Sequence, residues 1–202
     1  AREYNTRHLE LITGLYAEKM NTSMEYLQNY AQDNVKVAQA MEDKTPSQVL
    51  ARMEKNLDGT VFCGIGLIGE NGDIYGSKYA AADICQEGLD KQALAAEEFF
   101  YSDPYQSSET GSMIVTIFVP VPDSSWLHTI YVSVKIENMR QLGVYDLLRD
   151  KISVHLLKAD SENFVTCISN SSAVNFEGSW NNLLLQQKYY QYNDGYSYSQ
   201  WV

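Results

Sequence analysis

The chain has 202 residues, 45% of them apolar and 20% charged. That is the composition of a folded protein, long enough for one ordinary domain or one domain with a small second module. Fifteen lysines and arginines against 26 acidic residues give a net charge of −11, which argues against a nucleic-acid backbone as partner. Three histidines and three cysteines, scattered through the sequence, argue against a structural zinc site or a disulfide-dense scaffold. No run of about 18 apolar residues is present, so no segment reads as a membrane span. The start at Ala1-Arg2-Glu3-Tyr4, already inside a helical pattern and without a signal peptide, is read as that of a piece excised from a larger protein.

Residues 3 to about 42 predict one long helix. Leu9, Ile12, Tyr16, Met20, Met24 (or Ser23), Leu27 and Ala31 recur at three and four, and Val35 and Ala38 continue the stripe. A helix of that length spans roughly 60 Å, more than a compact core covers, and so reads as a signalling or dimerisation stalk. The alternative is two shorter helices broken near Asn29 or Asp33. A second helix begins at Thr45-Pro46, with Gln48 completing a capping box, and is expected to end at Asp58-Gly59.

The period then changes to that of strands. Val61 to Ile68 and Ile74 to Ser77 flank the turn Glu70-Asn71-Gly72-Asp73, where Asn71-Gly72 is a strong hairpin signal because both residues tolerate positive φ. Gly64 and Gly66 share one face of the first strand, and their missing side chains either admit a packed neighbour or leave room for a ligand. Residues 80 to 96 predict short helices, Glu98 to Ser102 a brief strand, and Asp103 to Gly111 a polar loop. Ser112 to Val121 and Trp126 to Ile136 alternate strictly. Ile114, Thr116 and Phe118 lie on one face of the first, and Tyr131 and Ser133 on one face of the second. The short link Pro122-Asp123-Ser124-Ser125 makes the pair antiparallel. Glu137 to Leu148 predicts a helix. Hairpins follow at 152–158 with 164–169 and at 189–192 with 196–201, with a short helix at 180–188 between them.

The fold class is therefore α+β: a long N-terminal helix, then a PAS-like five-stranded antiparallel sheet with flanking helices, then a small partial α+β module. The expected domains are a helical stalk and short helix over 1–59, the sheet domain over 60–136, a linking helix over 137–150 and a small or truncated module over 151–202.

This order of elements resembles the extracytoplasmic Cache (PAS-like, PDC) sensor domains of bacterial signalling proteins. The likeness is carried by Phe62-Cys63-Gly64-Ile65-Gly66-Leu67-Ile68-Gly69-Glu70-Asn71-Gly72-Asp73-Ile74-Tyr75, by Tyr101-Ser102-Asp103-Pro104-Tyr105, by Val119-Pro120-Val121, and by Val132-Ser133-Val134-Lys135-Ile136-Glu137-Asn138-Met139. The segment Leu156-Leu157-Lys158-Ala159-Asp160-Ser161-Glu162-Asn163 matches the start of a membrane-proximal repeat. The turn Gly69-Glu70-Asn71-Gly72 departs from the family pattern in lacking its aspartate. The resemblance implies a periplasmic or extracellular domain that binds a small molecule. It further implies a membrane-anchored full-length protein whose output domain, such as a diguanylate cyclase (GGDEF) domain, a histidine kinase or a chemotaxis module, lies inside the cell. It implies a homodimer through the first helix. The aromatic-Arg-x-Trp-aromatic motif by which amino-acid-binding members grip a carboxylate is absent, and residues 78 to 111 contain no arginine at all.

On this reading the pocket lies over the sheet. Phe99, Tyr101, Ser102, Asp103 and Tyr105 approach it from the segment between helices and strands, and Thr116, Phe118, Tyr131 and Ser133 approach it from the sheet. Tyrosines supply rings and hydroxyls, and Asp103 is the expected partner of a ligand ammonium. The blander alternative makes Phe99, Phe118 and Tyr131 core and Asp103 the start of a turn before Pro104. His8, His128 and His155 read as structural or exposed, and Cys63, Cys85 and Cys167 as buried thiols. The sequence shows no nucleophile elbow, phosphate loop or zinc-hydrolase helix, so no catalytic residue, metal or cofactor is assigned. The leading function is small-molecule sensing. The runner-up is a dimerising spacer with a filled pocket, and an unrelated enzyme is third.

Overall fold

The structure is a computed structural model. It describes residues 2–136 and 138 and four short strands, Leu157–Ala159, Val165–Cys167, Tyr189–Tyr192 and Gly195–Tyr198. These fall into two compact units, Met24–Met139 and Ala1–Ser23 with Arg140–Val202.

Helix α1 (Arg2–Gln39) runs unbroken for 38 residues. It is not divided near Asn29 or Asp33. The buried Asn34 side chain donates its Nδ2 to the Tyr30 carbonyl at 2.9 Å, a bond made inside the helix instead of ending it, while its Oδ1 is buried without a partner among the described residues. Leu27, Ala31, Val35 and Ala38 of the apolar stripe are buried. Helix α2 (Pro46–Glu54) has the expected capping box: the Gln48 N–H donates to Thr45 Oγ1 at 3.4 Å, and the Thr45 N–H to Gln48 Oε1 at 3.1 Å. It stops at Glu54, before Asp58-Gly59. Turns closed by Asn56, Leu57 and Thr60 N–H groups carry the chain to Gly59, whose φ is 79°.

The sheet of the larger unit has the order β2-β1-β6-β5-β3, antiparallel throughout. Its strands are β1 (Phe62–Gly69), β2 (Ile74–Tyr75), β3 (Phe100–Tyr101), β5 (Met113–Pro120) and β6 (Leu127–Lys135). A short strand β4 (Tyr105–Gln106), inside the stretch expected to be a polar loop, also pairs with β5. Only Gly72 of the Asn71-Gly72 turn takes positive φ. Asn71 instead uses its side-chain oxygen to accept the Asp73 N–H at 3.1 Å. Helices α3 (Lys78–Gln86) and α4 (Leu89–Ala95) follow β2.

Register assigns the two faces. Ile65 pairs Val132, Leu67 pairs Ile130, and Ile117 pairs Val132. These residues share one face with Val115, Val119 and Val134, and all are buried. Phe62 at the end of β1 packs on the rings of Tyr26 and Tyr30 of α1. The opposite face carries Gly64, Gly66 and Ile68 of β1, Thr129, Tyr131 and Ser133 of β6, and Ile114, Thr116 and Phe118 of β5. Its core gathers Ile68, Ile84, Leu89, Ala93, Tyr105, Ile114, Phe118 and Tyr131, so α3 and α4 cover it.

In the second unit β7 (Leu157–Ala159) pairs β8 (Val165–Cys167), and β9 (Tyr189–Tyr192) pairs β10 (Gly195–Tyr198), as the two expected hairpins require. The predicted helices at 137–148 and 180–188 lie outside the described residues, save for the helical Asn138 of the first; Ile136, expected to end the strand, is already helical.

Candidate functional site

The α3/α4 face of the sheet has two contrasting rows. In the first, Gly64, Ser133 and Thr116 lie side by side across β1, β6 and β5. Thr116 Oγ1 and Ser133 Oγ share a hydrogen bond of 2.7 Å, and the Tyr105 hydroxyl from β4 shares another of 2.7 Å with Thr116 Oγ1. All three side chains are buried. Burial pushes the Tyr105 phenol up, against the lowering effect of Thr116 and Ser133, so it is a neutral hydroxyl at any physiological pH. Gly64 leaves room for a side chain here: a Cβ built on it makes only ordinary contact, with the Ser133 Cβ at 3.9 Å.

In the second row Gly66 faces Tyr131, and Tyr131 faces Phe118. Here the missing side chain is filled. The Tyr131 ring lies where a Gly66 Cβ would be, and its hydroxyl lies where a Gly76 Cβ would be. Tyr131 is fully buried, its phenol is pushed up by desolvation, and its hydroxyl has no hydrogen-bond partner among the described residues. Phe118 stacks on Phe100 of β3 at 4.9 Å and meets Tyr131 at 6.0 Å. Of the two uses open to strand glycines, Gly64 leaves room and Gly66 admits a ring.

The structure therefore brings Tyr105, Thr116, Phe118, Tyr131 and Ser133 onto one face and separates the other predicted site residues from them. Tyr101 pairs Ile117, so its side chain lies on the α1 face, where its hydroxyl donates to the Met24 carbonyl at 2.9 Å. Phe99 is 40% exposed and packs edge-on against Tyr101 at 6.1 Å, which also removes it from the core. Ser102 is buried at the sheet edge. Its N–H donates to the Thr116 carbonyl at 2.8 Å, and its Oγ accepts the Thr116 N–H at 3.0 Å. Asp103 is exposed.

The buried carboxylate on the α3/α4 side is Asp83 of α3, 6% exposed. Both its oxygens accept the Ser108 N–H, at 3.3 and 3.1 Å. Sequence reasoning missed it because nothing in Ala80-Ala81-Ala82-Asp83-Ile84 distinguishes an inward aspartate from a solvated one. Its place one residue before the core residue Ile84 was the available signal.

Cys63 and Cys85 are free and exposed, not buried. The β1 register shift between Phe62 and Gly64 leaves Cys63 without a Cα partner on β6, out of the packed alternation. His128 is half-buried, sharing a 2.8 Å hydrogen bond with the Thr129 hydroxyl. The side chains of His8, His155 and Cys167 lie outside the described residues. Among the described residues no group of three His, Cys, Asp or Glu is placed to hold a metal ion, and no helix is long and apolar enough to cross a membrane.

No protein-family model and no curated protein matches the sequence. Solved structures do match the fold. The ligand-binding domain of the Campylobacter jejuni chemoreceptor Tlp3, in complex with L-norvaline, superposes with a TM-score of 0.62 at 13% identity, over 96% of this chain and 84% of that one. An extracellular ligand-binding receptor from Desulfohalobium retbaense gives 0.62 at 9% identity, over 90% of this chain, which spans about a third (35%) of that receptor. The ligand-binding domain of the Pseudomonas aeruginosa amino-acid chemoreceptor PctC, in complex with GABA, gives 0.51 at 21% identity, over 78% and 71%. The fold is thus that of the Cache/PAS-like ligand-binding domains of chemoreceptors.

Proposed function

We propose that the chain is an extracytoplasmic small-molecule sensing domain that relays a ligand-induced shift to a cytoplasmic output domain of a membrane-anchored signalling protein. The observation that carries this reading is the Gly64–Ser133–Thr116 row. It is a floor of small and hydroxyl side chains on an otherwise apolar face, with room for a Cβ at Gly64 and the Tyr105 hydroxyl beside Thr116. A face evolved only for packing has no use for a connected set of buried hydroxyls, because each must be satisfied at a desolvation cost. The shared fold with chemoreceptor ligand-binding domains supports the same reading. The chain itself carries no catalytic role, and its output domain is a diguanylate cyclase, a histidine kinase or a chemotaxis module.

Strand β3 is the proposed relay. Its two residues face opposite ways: Phe100 stacks on Phe118 on the candidate site's face, and Tyr101 holds α1 at Met24. A ligand that displaces the Phe118 ring moves β3 and hence its grip on the helix. Only a difference in affinity between the two arrangements is needed. Exposed Leu11 and Leu15, one turn apart on α1, support a homodimer through that helix. The Phe100–Phe118–Tyr131 ring cluster, stacked at its first pair and tilted at its second, favours the second reading, a spacer whose face is filled.

A thermal-shift screen against amino acids, amines, carboxylates, nucleobases and sugars decides between the two. A ligand of the folded state raises Tm by mass action. Sensing predicts a saturable rise for one chemical class, lost in Gly64→Val, which places a branched side chain on the row. No rise for any class, with millimolar compound, leaves the spacer.

A further inference from the structure

We propose that the ligand is a small organic carboxylate and that Lys135, at the end of β6, supplies its counter-charge. This rests on the sensing reading above and names its ligand class. Register places the lysine. It follows Ser133 by two residues in an unbroken strand, so the two side chains share the α3/α4 face, their Cα atoms about 6–7 Å apart. Across the sheet Lys135 faces Ile114, and Ile114 faces Tyr105. Both of these belong to the core of that face. Lys135 therefore borders the hydroxyl row: Ser133 lies beside it along β6, and Tyr105, whose hydroxyl reaches Thr116, stands in its own row.

The neighbours of Lys135 leave its charge unmet. Ile114 on β5 is apolar. On the β1 side the bulged Cys63 is hydrogen-bonded to the Lys135 backbone N–H. Desolvation, against the pull of the lysine, holds that thiol above its ordinary value, so it is neutral. Lys135 is half-buried and forms no ion pair with Asp83 or any other carboxylate among the described residues. The hydroxyl row has a matching need. Tyr105, Thr116 and Ser133 bring three hydroxyl hydrogens to two hydrogen bonds, so one hydrogen remains to be donated. An ammonium and a spare hydroxyl hydrogen on one face both require an acceptor. A carboxylate offers about four acceptor directions and takes a charge-assisted bond from each. An amine would meet a like charge here. The net charge of −11 opposes an anion at long range, but physiological salt screens that field beyond about 8 Å, whereas Lys135 acts at contact. The counter-charge comes from the sheet, since residues 78–111 over it hold no arginine.

Two matched sets of probes test the proposal by calorimetry and Tm on the whole chain. Butyrate, n-butanol and n-butylamine share a size and differ in charge, as do 3-phenylpropionate, 3-phenylpropanol and 3-phenylpropylamine. The expected result is saturable binding of at least one carboxylate, with its alcohol and amine counterparts about tenfold weaker or worse. Lys135→Met keeps an unbranched stem against Ile114 and removes the charge, and it is expected to weaken the carboxylate by more than about tenfold. Carboxylate binding unchanged in Lys135→Met overturns the assignment. So does an alcohol or amine that binds as tightly as its carboxylate, a result that needs only the unmodified chain. Binding lost in Lys135→Met but kept in Gly64→Val puts the anion on the lysine away from the row, and overturns it as well. If an alcohol or amine binds and is lost in Gly64→Val, the sensing reading survives while the carboxylate reading falls. If no carboxylate binds but another class in the broad screen does, the carboxylate reading alone falls; if nothing binds, both fall.

Discussion

At the scale of single residues, the two strand glycines make opposite predictions. Gly66→Ala drives a Cβ into the fully buried Tyr131 ring, whose hydroxyl already fills the place of a Gly76 Cβ. Urea denaturation is expected to show a loss of about 1–3 kcal/mol, the range for an overpacked core. Gly64→Ala meets only ordinary contact and is expected to change stability by no more than about 0.5 kcal/mol. Equal losses at both positions would contradict the filled and open rows. Tyr131→Phe removes a buried hydroxyl with no partner among the described residues, and so is expected to be neutral or to stabilise by about 1 kcal/mol. A clear destabilisation would mean that the hydroxyl is bonded in solution. The residues legible in the sequence were those whose strand alternation is strict. Thr116, Phe118, Tyr131 and Ser133 were placed on their faces correctly because β5 and β6 are long. Phe99 and Tyr101 were not, because a two-residue strand has no pattern of its own and its facing depends on a register that only the partner strand supplies.

At the scale of elements, besides the contacts of Phe62 with the Tyr26 and Tyr30 rings, α1 and the turn after it are hydrogen-bonded to the sheet at two places among the described residues of the larger unit. One is the Tyr101–Met24 hydrogen bond. The other is a clasp at the end of the helix, where Glu42 accepts from the Ser124 hydroxyl at 2.8 Å and from the Ser125 N–H and hydroxyl at 2.7 Å each. Gln39 beside it donates to the Pro122 carbonyl at 3.0 Å. The Ser125 backbone hydrogen bond, then those of the Ser125 and Ser124 hydroxyls, hold the Glu42 carboxyl below its ordinary value of 4.5. The folded value is the lower one, so the clasp contributes stability fully above 4.5 and loses it as pH falls through the depressed value. Glu42→Gln is expected to flatten that part of the stability–pH curve, and a curve superimposable on the unmodified chain's would dismiss the clasp. The helix itself, its capping box and the long hairpin were readable because each has a local signal: a 3.6-residue stripe, Thr45-Pro46 with Gln48, and strict alternation. Strand β4 was not. Its two residues are too few to show an alternation, and Asp103-Pro104 before it reads as a turn.

At the scale of the whole molecule, the chain is a helix of 38 residues of which Met24 onward belongs with the sheet and Ala1–Ser23 with the C-terminal residues. The exposed Leu11 and Leu15 suit a helix–helix contact between two copies. Sedimentation is expected to show a dimer that Leu11→Ser with Leu15→Ser converts to monomer, and a monomeric unmodified chain would remove the dimer from the proposal. The α+β class and the Cache-like order of elements were legible because they depend on sequence order. The depth of Asp83 was not, because the same alanine-rich helical context serves an inward and an outward aspartate alike.

The most direct test of the sensing account is an amide NMR titration of the chain with whichever compound of the thermal-shift screen raises Tm most. Site and relay together predict that Gly64, Thr116 and Ser133 amides shift, that Phe100 and Tyr101 shift with them, and that Gln28, whose N–H shares the Met24 carbonyl with Tyr101 in the helix, shifts in step. In Tyr101→Phe the first set is expected to persist and the Gln28 shift to vanish. Shifts confined to exposed residues, with Gly64 and Thr116 unmoved at saturation, would contradict the account.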